Sequence, residues 1–106
     1  MESENNLQEL QMTEQGLQGI IYQKQAFQME ISETQAALKE IEKSGDEVFK
    51  IVGQLMIKTD KKILKEDLEK KQKLLNLRID SLEKQEKELS EKLEKLQKEL
   101  MKNVKK

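Results

Sequence analysis

The chain has 106 residues, with 20 Lys plus Arg against 21 Asp plus Glu, a net charge of −1 and an aromatic fraction of 3%. It contains no Cys, Pro, His or Trp, which excludes disulfides, thiol or imidazole catalysis and any metal site built on nitrogen or sulfur. One Tyr and two Phe within a hydrophobic fraction of 35% suit one domain, but not a conventional globular core.

The opening stretch Met1-Glu2-Ser3-Glu4-Asn5-Asn6 has neither a basic segment nor an apolar run, so no signal peptide is expected. Nothing downstream approaches the ~18 consecutive apolar residues of a membrane span. The expectation is a soluble, cytoplasmic chain.

A first helix is predicted over residues 1–44. Leu10, Thr13, Leu17, Ile20, Lys24, Phe27, Ile31, Thr34, Leu38 and Ile41 step alternately by three and four, and seven of these ten are apolar. That alternation, kept over several heptads, specifies a helix burying a narrow stripe against another helix. Lys43-Ser44-Gly45 reads as the stop, with Gly45 in the left-handed conformation and Lys43 at the negative end of the helix dipole.

Residues 46–60 lose the heptad spacing and are predicted to form a β-hairpin. Val48-Phe49-Lys50-Ile51-Val52 and Leu55-Met56-Ile57-Lys58-Thr59 favour strands, and Gly53-Gln54 suits a two-residue turn with Gly in the first central position. Val52 then faces Leu55, Ile51 faces Met56 and Lys50 faces Ile57. One face carries Val48, Val52, Leu55 and Ile57; the other carries Phe49, Ile51 and Met56. A lone hairpin is marginal in water, and one with two apolar faces and open edges invites further strands. Folding down on its own helices would cover one face, whereas covering both faces and edges requires other chains. Oligomerisation through this segment is the expectation.

A second helix is predicted over residues 61–106, capped by Thr59 or Asp60. Its stripe is Leu68, Gln72, Leu75, Ile79, Leu82, Glu86, Leu89, Leu93, Leu96 and Leu100, eight of ten apolar. Residues 1–44 carry eight acidic and three basic side chains, and residues 62–106 carry ten acidic and fourteen basic, so antiparallel helices would attract along their flanks. Glu66-Lys70, Asp67-Lys71, Glu69-Lys73, Asp80-Lys84, Glu83-Lys87, Glu88-Lys92, Glu91-Lys95 and Glu94-Lys98 all place the acid four residues before the base, each worth ~0.2–0.5 kcal/mol. The fold class expected is mainly α: a long antiparallel two-helix coiled coil joined by a central β-hairpin through which chains oligomerise.

The carboxylates lie in Lys-interleaved helical surface without a pocket, so neither catalysis nor Mg²⁺ binding is expected. Lys70-Lys71-Gln72-Lys73 and Lys102-Asn103-Val104-Lys105-Lys106 are interspersed with acids and lack stacking aromatics, so they read as solvated helix face rather than a nucleic-acid site. The narrow stripe also argues against membrane binding. At the chain ends, antiparallel pairing sets Leu7, Leu10 and Met12 beside Leu96, Leu100, Met101 and Val104. Gly16 and Gly19 each cost a helix ~1 kcal/mol relative to Ala and should loosen this end. Read structurally, these residues are the last rungs of the coil; read functionally, they are an apolar grip for exposed segments of other proteins.

Val48-Phe49-Lys50-Ile51-Val52-Gly53 followed by Leu55-Met56-Ile57-Lys58 resembles the hairpin of β-class prefoldin subunits. Gln23-Lys24-Gln25, Gln28-Met29-Glu30, Ala37-Leu38-Lys39-Glu40-Ile41 and Leu82-Glu83-Lys84-Gln85-Glu86 are similar to family patterns at the corresponding places, so the resemblance spans nearly the whole chain as a single prefoldin-like domain. One hairpin rather than two points to the β class. The resemblance implies a heterohexamer of two α-class and four β-class subunits, whose hairpins join in a β-barrel platform. It also implies ATP-independent capture of non-native proteins at the coiled-coil tips, without a cofactor, and delivery to a group II chaperonin. Val48, Phe49, Ile51, Val52, Gly53, Leu55, Met56 and Ile57 would serve assembly. Leu7, Leu10, Met12, Leu96, Leu100, Met101 and Val104 would serve clients, and Lys102, Lys105 and Lys106 are electrostatic candidates for the chaperonin contact. The competing reading is a coiled-coil scaffold or tether that binds one defined partner.

Overall fold

The computed structural model describes the backbone of residues 2–104 and the side chains of residues 4–102. The order is α1 (Glu2–Lys43), β1 (Glu47–Val52), β2 (Leu55–Asp60) and α2 (Lys61–Val104). These bounds lie within a few residues of those expected. Lys105 and Lys106, and the side chain of Val104, fall outside the described residues.

The chain divides into two compact units. The hairpin unit, Phe27–Arg78, holds both strands and the adjoining helical segments; the chain-end unit joins the residues up to Ala26 with those from Ile79 onward. Within each unit α1 and α2 run antiparallel. In the hairpin unit the facing pairs are Phe27 with Arg78, Glu42 with Lys65 and Ser44 with Lys61. In the chain-end unit they are Gly16 with Leu89 and Lys24 with Glu83 and Glu86.

Both predicted stripes form the seam. Ile20, Ile41, Leu75, Ile79, Leu82 and Leu96 are buried, and every other stripe residue is at least partly covered. Thr13 and Thr34 occupy buried stripe positions without leaving a hydroxyl unpaired. Their Oγ1 atoms donate to the carbonyls of Glu9 and Glu30, one turn back, at 2.7 and 2.8 Å. Apolar packing and local hydrogen bonding therefore coexist along one narrow strip.

The stop of α1 differs from expectation. Gly53, with φ of 61°, is the one residue with positive φ among those described, so Gly45 is not left-handed. The helix ends through Ser44 instead: its backbone amide donates to the carbonyls of Glu40 and Ile41 at 3.0 and 3.2 Å, and its Oγ donates to the Ile41 carbonyl at 2.8 Å. Lys61 Nζ then donates to the Ser44 carbonyl at 2.8 Å. With those acceptors satisfied, no left-handed residue is required. At the start of α2, Asp60 is the cap: its Oδ1 accepts from the amides of Lys62 and Ile63 at 2.8 and 3.4 Å.

The electrostatic expectation is also revised. Of the eight acid-base pairs spaced by four on α2, Glu94–Lys98 alone closes to an ion pair among the described residues, at 3.4 Å. Exposed long side chains gain little from one fixed geometry in water. Between the helices, Lys65 of the basic helix meets Glu42 of the acidic one at 3.9 Å, but Lys24 reverses the pattern by pairing with Glu83 and Glu86. Net charge therefore does not choose the partners; local register does.

Candidate functional site

The hairpin forms in the predicted register: Val52 pairs with Leu55, Ile51 with Met56 and Lys50 with Ile57, and the ladder extends to Glu47 opposite Asp60. Positive φ at Gly53 but not at Gln54 is the pattern of a type II′ turn, whose twist matches that of the strands. On the Phe49 face, Lys58 Nζ lies 3.7 Å from a Glu47 carboxylate oxygen, so that face is polar at its helix end.

Little else covers the hairpin. Val48 is buried and Thr59 partly covered, but Phe49, Ile51, Val52, Leu55, Met56 and Ile57 are 48–71% exposed. These six residues lie on both faces, as the alternation requires. The hairpin does not fold down on its own helices; one end of one face is tucked in and the rest is bare. So many clustered apolar side chains on a two-stranded sheet form a surface suited to further protein.

The chain-end unit is organised differently. Of the residues expected to meet other proteins, Leu96 is buried in the seam and Leu10 and Leu100 are half-buried, whereas Leu7, Met12 and Met101 are exposed. Met12 borders a shallow groove with Glu9, Thr13, Leu89 and Lys92. The seam and the accessible surface therefore divide the predicted set between them. α1 is continuous through Gly16 and Gly19. A methyl group at Gly16 would stand 3.6 Å from Leu89 Cδ1, an ordinary contact, and one at Gly19 would meet open space. Lys102 is exposed near the end of α2.

Two features escape reading by heptads alone. Lys24 and Glu86, each a polar interruption in its own stripe, meet across the seam, with Lys24 Nζ 3.4 Å from Glu86 Oε2 and 3.8 Å from Glu83 Oε1. In the hairpin unit, the Arg78 guanidinium lies 5.6 Å from the centroid of the Phe27 ring, so a cation lies over a stripe aromatic. Pairing each interruption with its facing residue needs the interhelical register, which a list of stripe positions does not contain.

Among the described residues, no helix is long and apolar enough to cross a membrane. The model of the prefoldin subunit family matches residues 4–106. A prefoldin subunit beta of Thermococcus onnurineus is 45% identical over 85 residues, covering 78% of this chain and 73% of that protein. One from Methanothrix thermoacetophila is 38% identical over 88 residues, covering 81% and 73%. The crystal structure of the prefoldin beta subunit from Thermococcus strain KS-1 superposes with a TM-score of 0.89 at 36% identity, covering 99% of this chain and 94% of that one.

Proposed function

The chain belongs to the prefoldin family as a β-type chaperone subunit, and we propose that it joins other prefoldin subunits through its hairpin and holds non-native proteins at its chain-end unit. The observation that carries this reading is the hairpin, whose six exposed apolar residues on two faces suit burial by neighbouring subunits. In the proposed assembly two α-class and four β-class chains meet through hairpins closed into a barrel, which leaves no free strand edges. Phe49, Ile51, Val52, Leu55, Met56 and Ile57 supply the contact, Val48 is already buried within its own chain, and Gly53 supplies the turn.

Client holding falls to Leu7, Met12 and Met101, the accessible members of the chain-end set. Met is unbranched and polarizable, and suits apolar segments of varied shape. Leu10, Leu96 and Leu100 contribute by packing the seam beneath them, and join the client surface only where the helix ends part. No chemical step or nucleotide is required, because capture rests on apolar contact. The proposed setting is the cytoplasm, with onward transfer to a group II chaperonin and Lys102 as the described candidate for that contact.

The test uses the chain assembled with an α-class subunit. Several unrelated, chemically unfolded proteins are diluted into buffer without nucleotide, and their aggregation is followed by light scattering. Suppression is expected, and it should weaken in the triple variant Leu7→Ser, Met12→Ser, Met101→Ser while the native mass of the assembly stays the same. Failure of the unmodified assembly to suppress aggregation would overturn client holding. An undiminished effect in the triple variant would move the client surface elsewhere.

A further inference from the structure

The hairpin unit also carries apolar residues outside its seam. On α1, Met29, Glu33 and Ala36 are spaced by four and three, which places them on one side of the helix, and all three are exposed. On α2, Lys70, Leu74 and Leu77 have the same spacing, with Lys73 beside them, and all four are exposed. The stripe positions Phe27, Ile31, Thr34, Leu68, Gln72 and Leu75 occupy the inner sides. Each helix thus presents a second, smaller amphipathic face: one apolar with an acid, the other apolar with two bases.

These faces match in height as well as in charge. Facing residues in this unit have sequence numbers totalling 105 to 107, as set by Phe27 with Arg78, Glu42 with Lys65 and Ser44 with Lys61. Met29 is therefore level with Leu77, and Glu33 with the segment between Lys70 and Leu74. When two copies stand with their hairpins abreast, the outer face of α1 in one copy brings Met29 against Leu74 and Leu77 of the other, and Glu33 against Lys70 and Lys73. Pairing like faces would set Glu33 against Glu33 or lysines against lysines, which opposes a two-fold symmetric contact.

We propose that in the assembled protein the outer face of α1, Met29-Glu33-Ala36, packs against the outer face of α2, Lys70-Lys73-Leu74-Leu77, of an adjacent copy of this chain. The inference rests on assembly through the hairpins, because so few apolar side chains fall far short of the ~800 Å² per partner of a self-sufficient interface. The contact is heterologous: one copy offers its α1 face and its neighbour receives it on α2, so adjacent copies of this chain are placed in one direction relative to each other. Its role is to fix the angle between neighbouring subunits rather than to supply most of the affinity.

The absence of cysteine from the sequence makes the test clean. Chains carrying Met29→Cys or Leu77→Cys are mixed, assembled with an α-class subunit and oxidised. The expected product is the disulfide joining a Met29→Cys chain to a Leu77→Cys chain, in excess over either like pair. Adding Glu33→Lys to the first chain should lower its yield, and Lys70→Glu with Lys73→Glu in the second should restore it. An assembly of unchanged native mass that yields no such product, or mainly like pairs, would overturn the lateral contact while leaving hairpin assembly intact. A chain that stays monomeric in the mixture would overturn both.

Discussion

Replacing Ile51 and Met56 together by lysine should dissolve the assembly without unfolding the chain. The two residues are cross-strand partners, exposed by 71% and 68%. Full burial of a large apolar side chain stabilises by ~1.5–3 kcal/mol, so covering the exposed two-thirds of each is worth about 1–2 kcal/mol, or roughly 2–4 kcal/mol for the pair. At 1.4 kcal/mol per factor of ten, association should weaken roughly 30- to 700-fold per contact. Two lysines directly opposite one another add repulsion and further disfavour joining. In the isolated chain both side chains are mostly exposed, so helix content should change little. Native mass or sedimentation velocity reads the assembly, and circular dichroism provides the control for folding. An unchanged oligomer at low micromolar concentration would refute the claim that this face is the joint, as would loss of the helical signal for the claim that the face is free in the single chain.

The glycines should respond with opposite signs. Gly19→Ala, whose methyl meets open space in a helix, should stabilise by about 1 kcal/mol, while Gly53→Ala, at φ of 61°, should destabilise by about 1–2 kcal/mol; thermal melts compare the two. Asp60→Ala removes the acceptor for the Lys62 and Ile63 amides and should cost about 1 kcal/mol in urea denaturation, with Asp60→Asn retaining most of it. A double-mutant cycle on Lys24→Met and Glu86→Leu should show favourable coupling of at least about 0.5 kcal/mol, because Lys24→Met strands the partly covered Glu86 and Glu86→Leu leaves Lys24 only the longer contact to Glu83. Coupling near zero would refute the Lys24–Glu86 pairing as a contribution to stability.

The elements and the seam were legible in the sequence because each rests on local chemistry. Steps of three and four mark one side of a helix wherever they occur, and Gly53-Gln54 between two β-favouring runs sets both turn and register. The interhelical register was also within reach. The strand pairs have sequence numbers totalling 107, and the same total places Lys24 opposite Glu83. The ending of α1 was not legible, because Gly45 and Ser44 are both accepted stop signals. The bond that closes this end in the structure comes from Lys61, seventeen residues away, which donates to the Ser44 carbonyl.

The candidate site divided along the same line. Six hairpin residues remain exposed because alternation sends apolar side chains to two faces, and one chain has too little surface to cover both. Composition and proximity mark the chain-end set, but whether a leucine there packs or projects depends on its angle around the helix relative to the partner. Leu96 faces α1 and is buried, while Met101, five residues on, is turned outward.

The sequence by itself determined the two helices, the hairpin and its pairing, and the identity of the seam, since periodicity, turn chemistry and capping act over a few residues. Tertiary structure alone decided how α1 ends, which of the facing charges close to ion pairs and which apolar residues stay uncovered. Those outcomes depend on distances between segments far apart in the chain, and an exposed charge or methionine has no local preference strong enough to settle them.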